Sequence, residues 1–177
     1  VNYALVINSN AGLWGYSIGD TVKFVSKNPY KIVVSGRIKH FISAFGEHVI
    51  GEEVEKAMKY ACEQQPGTEV TEFTVAPQVV DPEGGLPFHE WFVEFSTEPT
   101  DIESFRNDLD KKLTQLNTYY DDLITGNILQ KLKIRSIQKG GFIEYMKSLG
   151  KLGGQNKVPR LSNDRKLADG LNSFIKN

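Results

Sequence analysis

Charged residues and a glycine turn lie close together between residues 35 and 56, in an order that could bind an anion. Arg37 and Lys39 are two positions apart after a short apolar segment, and residues two apart in an extended chain share one face. Their positive charges could bind ribose, phosphate or carboxylate oxygens, or could form an ordinary solvated edge. Gly46 and Glu47 then make a turn before an amphipathic helix. We predict that this stretch forms a basic corner, followed by a turn, and that it binds an anionic group.

Two other positions could take part in nucleotide chemistry. Asp20 follows Gly19 at the mouth of a predicted strand, where its carboxylate could accept hydrogen bonds from both ribose hydroxyls or could close a tight turn. Lys157 follows a glycine-rich loop and could bring charge to a developing anion, although loop lysines are commonly only solvated. The chain has 1 cysteine and no residue cluster with metal-ligand spacing, so we predict no metal site.

The composition narrows the classes of partner. The 177-residue chain has a formal net charge of −1, with 40% hydrophobic and 24% charged residues, which is ordinary for a globular protein. A net charge this close to zero gives the protein no overall positive electrostatic potential, so we expect no nucleic-acid partner. No apolar stretch approaches the ~20 residues that cross a membrane, so we expect no membrane partner. A chain with a single cysteine fits a reducing compartment, and we expect a cytoplasmic location.

The elements that must position these residues fall into two groups. The pattern first predicts three short strands, too few to bury a core alone, at Tyr3–Asn8, Thr21–Val25 and Tyr30–Ser35. It then predicts mixed structure, with helices at 49–62, 102–116, after Gly140–Gly141 and after Ser162, and strands at 69–80, 88–95 and 132–137. Residues 121–130 are ambiguous between a short helix and a turn. Thr100 and Ser162 are the predicted N-caps of the second and last helices.

We therefore predict an α+β fold, in which helices cover a small antiparallel or mixed sheet. The first strands are predicted to be the last strands of a larger N-terminal domain, because they lack a core of their own. The predicted boundary separates residues 1–38, which end that larger domain, from residues 39–177, which form a mobile C-terminal domain.

The order of the motifs carries more information than any single one. The sequence resembles the C-terminal part of adenylate-forming enzymes, a superfamily that includes acyl-CoA synthetases and luciferases, in four successive segments: Tyr16 to Asp20, Gly36 to Lys39, Gly46-Glu47 and Lys157 to Arg160. It is similar to one branch in particular, the Gretchen Hagen family of acyl acid amido synthetases, through NSNAGLWGYSIG at 8–19 and GQNKVPR at 154–160. Plant members of this auxin-responsive family conjugate auxin and jasmonate. The resemblance covers the last third of a complete member.

The resemblance implies how this chain would contact ATP. Asp20 matches the aspartate that holds the ribose hydroxyls, and Arg37 matches the arginine that assists at the same ribose. Tyr16 stands where the family often has an aromatic residue before the Gly-Asp pair. Ser17 departs from the pattern, because a basic residue is usual shortly before that pair.

The resemblance also implies moving parts. Lys39 matches the hinge about which the small domain turns. Gly46, next to Glu47, matches the glycine of the loop that faces the active site after that turn. Lys157 matches the C-terminal lysine that stabilises charge while the adenylate forms.

The implied activity is that of an ATP-dependent ligase, which joins a carboxylic acid to an amino acid through an acyl adenylate. Its cofactors would be ATP and Mg²⁺, held mainly by the N-terminal domain, and its partners would be the two substrates and that domain. This chain alone would be inactive. Two alternatives stay open at this point, an acyl-CoA ligase of the same superfamily and a non-catalytic α+β interaction or regulatory domain.

Overall fold

The computed structural model describes residues 1–37, 41–151 and 157–176. Its strands, in chain order, are β1 Tyr3–Ile7, β2 Tyr16–Lys27, β3 Tyr30–Arg37, β4 Phe41–Ile42, β5 Val49–Ile50, β6 Glu69–Gln78, β7 Phe88–Thr97 and β8 Lys133–Ile137. Its α-helices are α1 Gly51–Gln64, α2 Ile102–Leu116, α3 Thr118–Thr125, α4 Gly141–Ser148 and α5 Lys166–Leu171, and a 3₁₀ turn follows at Asn172–Phe174.

The first sheet is an antiparallel meander in the order β1-β2-β3. Of the apolar side chains described in it, only Val22 is buried. Strand β2 is longer than predicted and begins at Tyr16 rather than Thr21, because Tyr16 pairs with Ile7 of β1. The apolar alternation marks only the second half of this strand, and Gly19, with φ of +83°, interrupts the first half.

The second sheet has β7 at its centre, antiparallel to β6 and parallel to β8. Its two faces bury alternate residues of β7, as strand geometry requires. On one face, Trp91 and Val93 join the main core with α1 and α2. On the other face, Phe92 packs in a smaller core with α4 and α5. This mixed sheet, covered by helices on both faces, confirms the predicted α+β fold.

Helix α1 begins at Gly51, two residues later than predicted. Val49 and Ile50 instead pair with the two residues of β4. The Glu53 carboxylate accepts the backbone N–H of Ile50 at 3.0 Å, which satisfies a donor at the helix start. The buried residues of α1 recur every three to four positions, namely Val54, Ala57, Met58 and Ala61.

Two predicted N-caps were wrong. The N-cap of α2 is Asp101 rather than Thr100, and its Oδ1 accepts two first-turn N–H groups at 3.0 and 3.2 Å. Helix α5 begins at Lys166, after the N-cap position Arg165, so Ser162 lies too far upstream. The Ser162 hydroxyl instead accepts the N–H of Asp164 at 3.3 Å. A carboxylate close to the first turn displaced the hydroxyl residue in both places, since it accepts hydrogen bonds more strongly.

The ambiguous stretch forms helix α3 in its first part. Asn117 ends α2 and also caps α3, because its Oδ1 accepts the N–H of Tyr120 at 2.9 Å. The two helices therefore meet with no intervening loop. Helix α4 ends at Ser148, and Gly150 follows the C-cap with φ of +67° and an N–H that donates to Lys147 O at 2.9 Å.

The predicted domain boundary after residue 38 falls outside the described residues, and so does most of the glycine-rich loop at 152–156. Within the described part, no helix is long and apolar enough to span a membrane.

Candidate functional site

Asp20 and Arg37 lie directly opposite each other in the β2–β3 ladder. The hairpin thus brings together the backbones of two residues that are 17 positions apart in the sequence. Tyr16 lies on the same strand, four residues before Asp20, and its side chain is exposed. The Asp20 carboxylate has two oxygens, enough to accept one hydrogen bond from each of two neighbouring hydroxyls.

The turn at residues 45–47 has an exposed apex and a buried base. Gly46 is exposed and has φ of +97°, a conformation that favours glycine. The next side chain, Glu47, is fully buried and points back into the fold. Lys39, the predicted hinge, lies outside the described residues.

Glu47 forms a buried pair with His89 on β7. The Oε1–Nε2 distance is 2.8 Å, and the other carboxylate oxygen accepts the N–H of Phe45 at 2.9 Å. Burial by itself raises the pKa of Glu47, but the hydrogen bond and charge of His89 outweigh burial and hold this pKa below its ordinary value. Glu47 therefore acts on the turn from inside the core and has no direct contact with solvent.

His89 belongs to a polar group beneath this turn. Its ring lies 5.0 Å from the ring of Tyr120, whose hydroxyl donates to Asp110 at 2.8 Å. Burial, followed by the charge of Asp110, raises the pKa of Tyr120 well above its ordinary value, so the phenol keeps its proton. Asp110 also accepts the N–H of Leu132 at 3.1 Å. The turn thus rests on side chains from β7, α2 and α3.

Sequence reasoning missed the role of His89. Strand alternation places His89 on the same face as Trp91, which indicates burial. No pattern indicates its partner, because Glu47 is 42 positions away.

Lys157 is exposed and begins a segment that is fixed to the second sheet. The Thr74 hydroxyl donates to Pro159 O at 2.7 Å. The chain then runs beside β6, where Val75 N donates to Arg160 O at 3.0 Å. Lys157 therefore lies two residues before the first anchored residue, Pro159.

Arg160 provides the side-chain anchor of this segment. Its guanidinium binds Glu55 of α1 and Glu72 of β6. It also donates to Phe73 O at 3.2 Å and lies 4.6 Å from the centre of the Phe73 ring. Lys59, one helical turn after Glu55, pairs with Glu63 instead.

The turn and the Lys157 segment are also joined to each other. Ser43 N, near the start of the turn, donates to Asn163 Oδ1 at 2.9 Å. A cavity of about 270 Å³ lies between the first sheet and the start of α1, and its lining includes Thr21, Gly36 and His48. Thr21 and Gly36 pair with each other in the β2–β3 ladder, one position along from Asp20 and Arg37.

Within the part of the chain that the structure describes, no group of three or more His, Cys, Asp or Glu residues could hold a metal ion.

Solved structures share this fold. One, described as "GH3.15 acyl acid amido synthetase", is 19% identical with a TM-score of 0.78, and the match covers 99% of this chain and 34% of that one. Another, "AtGH3.15 acyl acid amido synthetase in complex with 2,4-DB", is 18% identical with a TM-score of 0.73 and coverages of 99% and 33%. The chain therefore spans about a third of the length of these proteins. No curated protein sequence matches it significantly.

Two family models match the sequence itself. The model described as "GH3 family central domain" matches residues 1–37, which form the first sheet. The model described as "GH3 family C-terminal domain" matches residues 52–166, from α1 to the start of α5. This second match covers more than half of the chain, and it includes the turn's partner His89 and the Lys157 segment. The chain therefore belongs to the GH3 family, as the order of its motifs predicted.

Proposed function

We propose that this chain is the C-terminal part of an ATP-dependent ligase that joins a carboxylic acid to an amino acid. In the first step, the acid's carboxylate attacks the α-phosphorus of ATP, which forms an acyl adenylate and releases pyrophosphate. In the second step, the amino group attacks the acyl carbonyl, which forms an amide and releases AMP. The chain belongs to the GH3 family, and the two solved structures that share its fold are described as acyl acid amido synthetases. Those descriptions are the reason for choosing an amine as the acceptor.

The observation that best supports this proposal is the pairing of Asp20 with Arg37 across β2 and β3. The sequence resemblance gives both residues a role at one ribose, and their adjacent backbones agree with such a shared role. A carboxylate can accept hydrogen bonds from the ribose hydroxyls, and a guanidinium can donate hydrogen bonds to oxygens of the ribose or of the neighbouring phosphate.

Lys157 would supply positive charge to the adenylyl transfer. Lys157 is exposed beside an anchored segment, so it could reach a substrate on another domain, and its ammonium would stabilise the negative charge that develops on the phosphate oxygens. A turn of the second domain about Lys39 would then withdraw Lys157 and bring the Gly46 loop to the acyl adenylate. The surface that carries Lys157 would serve adenylation, and the surface that carries Gly46 would serve amide formation.

The remaining parts of the site would come from the N-terminal portion of the ligase. We propose that it holds the ATP phosphates with Mg²⁺ and the acyl group, so the chain alone would bind ATP poorly. The single cysteine, Cys62, fits a cytoplasmic protein. Family membership does not fix the acid or the acceptor.

The complete ligase should be assayed for products with a panel of acyl acids, each offered amino acids or coenzyme A. An amide and AMP that require both an acid and an amino acid would support the proposal. AMP release that depends on the thiol instead would favour the acyl-CoA ligase. Absence of acid-dependent AMP release with every acid and acceptor would contradict the proposed ligase activity.

A further inference from the structure

Glu47 and His89 form a buried ionisable pair that the two reaction steps do not use directly. Both side chains are 0% exposed. Removing a carboxylate and an imidazole from water is costly, and apolar side chains of similar volume are often at least as stable in such a place. The role of the pair is therefore better sought in fixing one conformation of the chain than in general stability.

The conformation that the pair fixes is that of the turn at residues 45–47. One Glu47 oxygen accepts the N–H of Phe45, and the other is 2.8 Å from His89 Nε2. The carboxylate thus bridges the two ends of the turn from below and leaves Gly46 as its exposed apex. If His89 were absent, the buried carboxylate would lack its main partner and would move toward water, taking the turn with it.

The base of the pair is rigid. His89 lies on β7, the central strand of the second sheet, and opposite Pro77 of β6. Its ring packs on Tyr120, which is itself held by Asp110. A second tie holds the approach to the turn, where Ser43 N donates to Asn163. Motion at Gly46 is therefore restrained from both sides by parts of the second domain.

We propose that Glu47 and His89 are positioning residues that hold the Gly46 turn in the shape required for attack of the acceptor on the acyl adenylate. This inference rests on the proposed function, in which the turn faces the active site in the second step. Neither residue touches the substrate, and both act through the backbone of Gly46. Loss of the pair should therefore slow amide formation and spare adenylation, which depends on Lys157.

Three variants of the complete ligase separate this role from simple loss of folding. His89→Leu removes the donor to Glu47. His89→Gln restores an N–H donor near the position of Nε2. The double variant Glu47→Leu with His89→Leu replaces the pair by apolar side chains and leaves no buried charge. Glu94→Gln is the control, because it changes another buried carboxylate of β7, whose partners are the N–H groups of Gly140 and Phe142 at the start of α4.

Three measurements are needed on each variant. Acid-dependent exchange between ATP and pyrophosphate reports adenylation. Single-turnover amide formation from enzyme-bound acyl adenylate reports the second step. Hydrogen–deuterium exchange of peptides spanning residues 41–50 reports the turn.

For His89→Leu and the double variant, we expect amide formation to slow about tenfold or more and adenylation to change by less than about twofold. Exchange at the turn should be faster, and His89→Gln should recover most of the lost rate.

Different results would overturn different statements. The positioning role is wrong if amide formation is unchanged, if both steps fall together as the folded fraction falls, or if exchange at the turn is unchanged in His89→Leu. An equal selective loss in Glu94→Gln would also contradict it. A wild-type ligase without acid-dependent exchange contradicts the proposed function, and the positioning role falls with it. A wild-type ligase active in both steps, with unselective variants, contradicts only the positioning role.

Discussion

Lys23 on β2 and Glu52 in the first turn of α1 form an ion pair with an Nζ–Oε1 distance of 2.7 Å. The same carboxylate binds Lys56 of α1 at 2.7 Å. Hydrogen bonds from Lys23 and then from Lys56 lower the pKa of Glu52, so it is ionised at neutral pH. The Lys23 pair joins the first sheet to the second domain across the predicted hinge, whereas the Lys56 pair lies within one helix.

We predict that Lys23→Gln loosens the orientation of the second domain relative to the first sheet. Partly exposed ion pairs contribute about 0.2–1 kcal/mol, enough to shift a balance between two orientations by up to about fivefold. The distance distribution between spin labels at Lys31 and Lys59, in a Cys62→Ala background, should broaden. Lys56→Gln is the control, because it removes the other partner of Glu52 and leaves the ion pair between Lys23 and Glu52. Identical distributions in wild type and Lys23→Gln would contradict this role.

We predict that Arg160→Lys reduces adenylation. Arg160 binds Glu55, Glu72 and the Phe73 carbonyl together, and an ammonium has no planar fork with which to do so. The segment that carries Lys157 should therefore be less well placed, and acid-dependent pyrophosphate exchange should slow by about tenfold with little change in the KM for ATP.

The control for Arg160 is Arg106→Lys on α2, which pairs with Glu103 of the same helix. It should leave pyrophosphate exchange unchanged. Equal activities of Arg160→Lys and wild type would show that the anchor has no part in placing Lys157.

We predict opposite effects of two neighbouring carboxylates on acid stability. The folded-state pKa of Glu47 lies below the ordinary value of 4.5, so its stabilisation is present above pH 4.5 and is lost as pH falls through the folded pKa. Burial raises the pKa of Glu53 above 4.5, so its protonation favours the folded state as pH falls. From pH 6 to pH 3, Glu47→Gln should lose less unfolding free energy than wild type, and Glu53→Gln should lose more.

Urea unfolding at several pH values measures these differences. Each variant is compared with wild type at the same pH, so the contributions of all other carboxylates cancel. Two variants with the same sign of change relative to wild type would contradict the assignment.

We predict that Asp101→Ala destabilises the second domain by about 1 kcal/mol, because two N–H groups at the start of α2 lose their acceptor. Thr100→Ala, at the position that the sequence favoured, should change the unfolding free energy by less than about 0.5 kcal/mol. Thermal or urea unfolding measures both. A larger effect at Thr100 than at Asp101 would contradict this assignment and would support Thr100 as the N-cap of α2.

The main helices and strands were predictable because their signals are local. The buried stripe of α1 and the hairpin of β6 and β7 follow from periodicity over ten or more residues. The first half of β2 was not predictable in this way, because Gly19 breaks the alternation and pairing with β1 keeps the chain extended. Helix α3 stayed ambiguous between a short helix and a turn, because it is short and shares Asn117 with α2.

The candidate site was predictable only where a motif carries it. Asp20, Arg37 and Lys157 were found by their order along the chain, and the register of β2 and β3 then placed Asp20 opposite Arg37. His89 has no such motif, because its partner Glu47 is distant in the sequence. A contact between two strongly polar residues that depends on tertiary packing leaves no periodic trace in either segment.

Acid-dependent exchange between ATP and pyrophosphate in the complete ligase tests the central claim most directly, with Lys157→Ala compared with Lys151→Ala. Both lysines are exposed and lie close in the sequence, but only Lys157 has the predicted role in adenylation. We expect Lys157→Ala to lower exchange by about 100-fold, since removing a positive charge from a developing anion costs about 3 kcal/mol. Lys151→Ala should retain the wild-type rate. Equal exchange in wild type and Lys157→Ala would contradict the account and would favour a non-catalytic role for this domain.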